Sequence, residues 1–139
     1  MPPAGTFVAT MMHVLSNGLP DDVLVVEDDP IIALDFEDTI RGLGVRTVRT
    51  AGNVMRALQF IEERAPDFAL LDIGLVSENS LAVAERLETL GIPFAFVTGY
   101  GADANVATAF AGTPRLPKPF TTDAIEAALK HAAVGRSVR

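Results

Sequence analysis

The 139-residue chain has no cysteine. A disulfide framework, a thiolate nucleophile and a cysteine-held metal are therefore excluded, and a reducing, cytoplasmic setting fits. Long hydrophobic runs are missing too: nothing approaches the roughly 18 consecutive apolar residues of a membrane span. Basic residues are few, with 11 Lys and Arg against 18 Asp and Glu, a net charge of −7. Nucleic-acid binding in general needs a basic face to neutralise phosphates, so that class is disfavoured. There are no repeats and no low-complexity segment. His13 and His131 stand in no metal-ligand or kinase-like pattern and read as surface histidines.

A composition of 49% hydrophobic and 21% charged residues is that of an ordinary globular protein, and the length fits one domain with a substantial core. The expected layout is an N-terminal arm over 1–20, a domain over 21–134 and a tail over 135–139. The arm has Pro2-Pro3 and an apolar patch from Phe7 to Leu15, but lacks the basic start and uninterrupted apolar core of a secretory signal. It reads as a disordered or tag-like extension, with a docking or dimerising segment as the alternative.

Acidic residues stand at the ends of hydrophobic runs. Val23-Leu24-Val25-Val26 runs into Glu27-Asp28-Asp29, and Phe68-Ala69-Leu70-Leu71 runs into Asp72. Phe94-Ala95-Phe96-Val97 ends in Thr98, and Leu116-Pro117 leads into Lys118-Pro119. Short continuous apolar runs are strands buried on both faces, as in parallel sheets. All C-terminal strand ends of such a sheet share one edge, where open α/β folds bind ligands. Carboxylates, a hydroxyl and an ammonium group would converge there, in a site for a divalent cation and a phosphoryl group.

Between the runs the pattern is helical, so the fold class is α/β: a five-stranded parallel sheet with helices on both faces. Asp29-Pro30 predicts a helix start, the aspartate capping free amides and the proline at the first helical position. Ile31, Ile32, Leu34, Phe36 and Ile40 are expected to form its apolar face, and Gly42 to Gly44 its end. Val45 to Thr50 alternates like an edge strand, and Asn53 to Arg64 is a second helix. Leu81, Val83, Ala84, Leu87 and Leu90 mark a third, stopped by Gly91. A short fourth helix is expected over Asp103 to Phe110. Arg115 to Pro117 is a fifth strand, and Thr121 or Thr122 caps a last helix through Ala133.

These ordered motifs, over Asp22 to Ala133, resemble the receiver domain of two-component response regulators, a flavodoxin-like doubly wound (β/α)5 fold. Phe94-Ala95-Phe96-Val97-Thr98-Gly99-Tyr100 also resembles the subgroup named for its Phe-Ala-Thr-Gly-hydrophobic-Tyr motif, except that Val97 replaces the alanine and Tyr100 follows Gly99 directly. The resemblance implies that Asp72 is the phosphoacceptor, a carboxylate being a competent nucleophile for phosphoryl transfer. Glu27 and Asp28 match the acidic pair that holds Mg²⁺. Carboxylates 4 Å apart repel by about 4 kcal/mol at an effective dielectric of 20, so a cation or proton must compensate the cluster. Mg²⁺ suits an all-oxygen site and keeps several waters. Asp28 and Asp72 would ligate it directly and Glu27 through water, while Gly74 matches the position that lends a backbone carbonyl. Its missing side chain leaves the phosphoryl group open to water. Asp29 is assigned to the helix cap.

Thr98 and Lys118 match the residues that hold phosphoryl oxygens, and the Lys118–Pro119 bond is expected to be cis, as in the family. Arg115 departs from it. An aromatic often stands there and couples to the threonine, and an Arg does not enter an apolar pocket cheaply; Tyr100 is the candidate to take over part of the switch.

The resemblance implies a histidine kinase, of the HWE or a related class, or a phosphotransfer protein as donor, and a downstream protein target. The signalling face, and that of a possible homodimer, would be the fourth helix, fifth strand and fifth helix. Such a protein is no enzyme beyond assisting its own phosphorylation and dephosphorylation. Two other classes compete. A phosphorylation-independent adaptor or pseudo-receiver is favoured slightly by Arg115. A Mg²⁺-dependent aspartyl phosphohydrolase usually wants a second acid two residues past the nucleophile, where Gly74 stands.

Overall fold

In the computed structural model, residues 18–73, 81–98, 110 and 112–138 are described, with side chains described through His131. Among the described residues five strands are present: β1 (Asp22–Val26), β2 (Thr47–Ala51), β3 (Phe68–Asp72), β4 (Phe94–Thr98) and β5 (Arg115–Pro117). They form one parallel sheet in the order β2-β1-β3-β4-β5. The described helices are α1 (Pro30–Gly42), α2 (Val54–Glu63), α3 (Leu81–Thr89) and α4 (Thr122–Val138). The helix expected over Asp103–Phe110 lies outside the described residues apart from Phe110.

Side chains of a strand alternate between faces, so each apolar run supplies two cores. Val23 and Val25, with Phe68, Leu70, Ala95, Val97 and Leu116, pack against Phe36 and Ile40 of α1 and Ile125 and Leu129 of α4. Leu24 and Val26, with Ala69, Leu71 and Phe96, pack against Ala57 and Ile61 of α2 and Val83, Ala84 and Leu87 of α3. Burying one such Leu, Val or Phe side chain stabilises by about 1.5–3 kcal/mol, which is why β1 and β3 carry no exposed residue.

Asp29 caps α1 as expected: its Oδ1 accepts from the amides of Ile31 and Ile32. Asn53 caps α2 through the Arg56 amide, and Thr121 caps α4 through the Ala124 amide. Gly44 takes φ +110°, a conformation that side chains disfavour, and turns the chain from α1 towards β2.

Several local expectations are corrected. Ile31 and Leu34 are 78% and 57% exposed, not part of the core face of α1. At 3.6 residues per turn they lie about 140° and 160° around the helix from Phe36, whereas Ala33 and Ile40 lie on its stripe. Leu90 falls just past α3 and is exposed, because the helix ends at Thr89 before Gly91. The second strand is Thr47–Ala51 rather than Val45 to Thr50; Val45 is buried in the turn before it. Leu19 and Pro20 are buried, so packing begins before Asp21. The last helix continues past Ala133 to Val138; a helical glycine such as Gly135 costs only about 1 kcal/mol and does not end it.

Candidate functional site

Register brings the strand ends together. Val26 pairs with Leu71, so Glu27 and Asp72 leave β1 and β3 side by side. Asp72 in turn pairs with Val97, and Thr98 with Pro117, the residue before Lys118. The Glu27 amide still donates to Ala51 O of β2, and the Lys118 amide to Thr98 O at 2.8 Å. The sheet's hydrogen-bond ladder therefore extends one residue into the site on both sides.

The carboxylates of Glu27, Asp28 and Asp72 offer oxygens within 4.8 Å of one another. Glu27 and Asp72 are buried, while Asp28 is exposed at the rim. Lys118 Nζ lies 3.0 Å from Glu27 Oε1 and 3.2 Å from Asp72 Oδ2. The other oxygen of Glu27, Oε2, accepts from the Asp29 amide at 3.1 Å. One ammonium group thus faces two buried carboxylates, with the third carboxylate open to solvent.

That imbalance shows in the ionisation of the groups. The Glu27 carboxyl is pushed up to about 7, first by burial and then by its hydrogen bond to Asp72; the Asp29 amide and Lys118 oppose the rise. Burial alone would lower Lys118, but the carboxylates of Glu27 and Asp72 outweigh it and raise the ammonium above its ordinary value.

A hard divalent cation fits this donor set, which is all oxygen and accessible from the Asp28 side. Glu27, Asp28 and Asp72 each offer one carboxylate oxygen that could hold it. Both oxygens of Glu27 already have partners, which suits contact through water rather than direct ligation. Asp29 has its Oδ1 committed to the α1 cap and points to no metal role.

Thr98 is buried at the end of β4. Pro119 follows Lys118 through a cis bond. Arg115 is exposed and pairs with Phe96, two residues short of Thr98 along the sheet. Gly74 and Tyr100 lie outside the described residues. Two arrangements were not foreseen. Phe36 of α1 stacks on Phe120, two residues past Lys118, at 4.1 Å between ring centroids. At the opposite sheet edge Asp22 accepts from Nε and Nη2 of Arg49, each at 3.1 Å, and from Nε of Arg64 at 2.8 Å. The charge pattern offered no signal for that cluster, since its members are 15 to 42 residues apart.

Residues 23–130 match the response regulator receiver domain family. The chain is 33% identical over 89 residues to the phyllosphere-induced regulator PhyR of Methylorubrum extorquens, an alignment covering 62% of this chain and 33% of that protein. The solution structure of SdrG from Sphingomonas melonis Fr1 superposes with a TM-score of 0.71 at 39% identity, covering 84% of this chain and 98% of SdrG. The crystal structure of the anti-anti-sigma factor PhyR from Bartonella quintana superposes with a TM-score of 0.75 at 26% identity, covering 96% of this chain and 55% of that one. The chain therefore spans a third to about half of the PhyR proteins it matches. Among the described residues no helix is long and apolar enough to cross a membrane.

Proposed function

Because this chain belongs to the response regulator receiver family, we propose that it accepts a phosphoryl group on Asp72 from the phosphohistidine of a histidine kinase or phosphotransfer protein, and that this changes its binding to a protein target. The observation that carries the reading is the pair of buried carboxylates, Glu27 and Asp72, bridged by Lys118 at the C-terminal edge of the sheet. A purely structural ion pair would not need the second carboxylate, and a third one, Asp28, stands exposed beside it.

An Asp72 carboxylate oxygen attacks phosphorus in line, the P–N bond breaks, and its electron pair stays on the imidazole. Catalysis of such a transfer is mostly positioning and charge neutralisation. Asp28 and Asp72, with Glu27 through water, would hold Mg²⁺, Gly74 being the position from which the family lends a carbonyl, and the ion would supply charge neutralisation for the phosphoryl oxygens. Lys118 exchanges its contact with Asp72 for a phosphoryl oxygen and keeps the point charge at the site. Thr98 donates its hydroxyl to another phosphoryl oxygen and moves inward, which reports the modification.

The donor is of the HWE class or a relative of it, and the protein acts in the cytoplasm. PhyR of Bartonella quintana is described as an anti-anti-sigma factor. That likeness, with a net charge of −7, favours a protein–protein circuit over direct nucleic-acid binding. The strand β5 and helix α4 belong to the signalling face. Arg115, exposed on β5, supports a second reading in which the domain is an adaptor that binds its partner without phosphorylation.

The test is the intact mass of the protein after incubation with Mg²⁺ and acetyl phosphate. One added phosphoryl group, absent with a chelator, supports the receiver. No gain from acetyl phosphate or a phosphorylated kinase moves the reading to the adaptor.

A further inference from the structure

Lys118 sits in a segment fastened at three places. Its own amide donates to Thr98 O of β4. Thr121 caps α4 through the Ala124 amide. Between them the Phe120 ring lies on Phe36 of α1, centroids 4.1 Å apart and planes 21° apart. Phe36 is fully buried, and Phe120 is packed against the core formed by α1, α4 and the sheet. Helix α1 starts at the turn that presents Glu27 and Asp28, with Asp29 as its cap. The aromatic stack therefore joins α1, the helix that begins just after Glu27 and Asp28, to the segment carrying Lys118, independently of the ion pair between Lys118 and Glu27.

We infer that Phe36 and Phe120 are positioning residues for Lys118: their stack holds the lysine stem over Asp72 when the ammonium group leaves Glu27 and Asp72 for a phosphoryl oxygen. The inference rests on the phosphoacceptor reading of Asp72. An ion pair fixes the ammonium only while the pair exists, and it is lost at the moment of transfer. The stack is made by apolar rings that the transfer does not touch, so it persists through the reaction. Offset stacking also has a preferred geometry that a smaller aliphatic side chain does not reproduce.

The test uses the full chain with acetyl phosphate and Mg²⁺, and pairs phosphoryl uptake with the Lys118 amide and Nζ signals in the nitrogen NMR spectrum of the metal-free protein. Phe120→Leu and Phe36→Leu should slow uptake by roughly tenfold, within the range that a misplaced catalytic group costs. Both should shift the Lys118 Nζ signal, and Phe120→Tyr, which keeps the ring, should restore rate and signal. In a Lys118→Met background the same substitutions should change uptake by less than about twofold, because contacts acting through one residue are non-additive. Leu43→Ala, at the far end of α1 in the same core, should leave the uptake rate near wild type. Thermal unfolding confirms that each variant is folded at the assay temperature; if Phe36→Leu is not, the half-buried Phe120 carries the test. Full-rate uptake in Phe120→Leu, an equal loss in the Lys118→Met background, or an equal loss in Leu43→Ala overturns the inference. A wild type that takes up no phosphoryl group overturns the phosphoacceptor reading instead, and the Nζ signal alone then decides: a shift in Phe120→Leu supports the positioning role, and no shift overturns it.

Discussion

Lys118 Nζ stands 3.0 Å from Glu27 Oε1 and 3.2 Å from Asp72 Oδ2, so a single ammonium group compensates two buried carboxylates from different strands. The lysine neutralises part of the negative charge that a bound cation would also neutralise. Much of the chemistry of the site follows from that competition.

Replacing Lys118 by Met removes the ammonium group that contacts Glu27 and Asp72. Breaking a fully buried pair costs about 3–5 kcal/mol; the lysine side chain is 24% exposed, and water screens part of the loss, so about 2 kcal/mol is expected in the metal-free protein. Saturating Mg²⁺ should recover most of it, and Mg²⁺ should bind more tightly to the variant than to wild type. Urea unfolding with and without Mg²⁺ measures both effects. Equal destabilisation in the two conditions would contradict the competition.

The raised Glu27 carboxyl makes metal-free stability depend on pH. Its folded value of about 7 lies above the ordinary carboxyl value of 4.5, so between those values the folded state binds more protons than the unfolded state. Stability contributed by this group therefore falls as pH rises from 4.5 to 7, by at most about 3 kcal/mol. Lys118 is also raised, so its contribution is present throughout this window and is lost only above the ordinary lysine range. The difference in urea midpoint between wild type and Glu27→Gln at pH 5 and pH 8 isolates the effect. Relative to wild type, the Gln variant should gain stability between those two pH values, and a constant difference would count against the assignment.

At the other edge of the sheet, Asp22 accepts from Arg49, which is 12% exposed, and from Arg64, which is 61% exposed. Asp22→Ala should destabilise by about 3 kcal/mol because the buried guanidinium loses its carboxylate. Arg64→Ala should cost under about 1 kcal/mol, as exposed pairs do. Chemical denaturation checks both, and phosphoryl uptake by the folded variants should remain that of wild type.

The exposed apolar residues of α1 make a plainer test. Ile31→Ser and Leu34→Ser should change stability by no more than about 0.5 kcal/mol, the usual range for surface sites, whereas Ile40→Ala should cost about 2–5 kcal/mol as a core truncation. A loss of that larger size in Ile31→Ser would place the residue in the core after all.

The sheet was legible because fully buried strands are written as unbroken apolar runs, and because a parallel sheet puts all run ends on one edge. Hence Glu27, Asp28, Asp72, Thr98 and Lys118 could be gathered from sequence alone. The faces of α1 were less legible: Ile31 and Leu34 are as apolar as Phe36, and only the helical angle separates them. Long-range partners were hidden altogether. Nothing near Lys118 names Glu27, 91 residues away, as the acceptor of its ammonium group. Phe120 could be noticed in Lys-Pro-Phe, but Phe36 read only as one more core residue. The Asp22, Arg49 and Arg64 cluster is likewise formed by strand register and the end of α2, neither of which a charge pattern carries.

The most direct test of the account locates the phosphoryl group. After incubation with Mg²⁺ and a phosphoryl donor, borohydride reduces an aspartyl phosphate to homoserine, and peptide mass spectrometry reads the position. Homoserine is expected at residue 72, and none when Asp72 is replaced by Asn. Homoserine at Asp28 or elsewhere, or its absence from protein that has gained a phosphoryl mass, would contradict it.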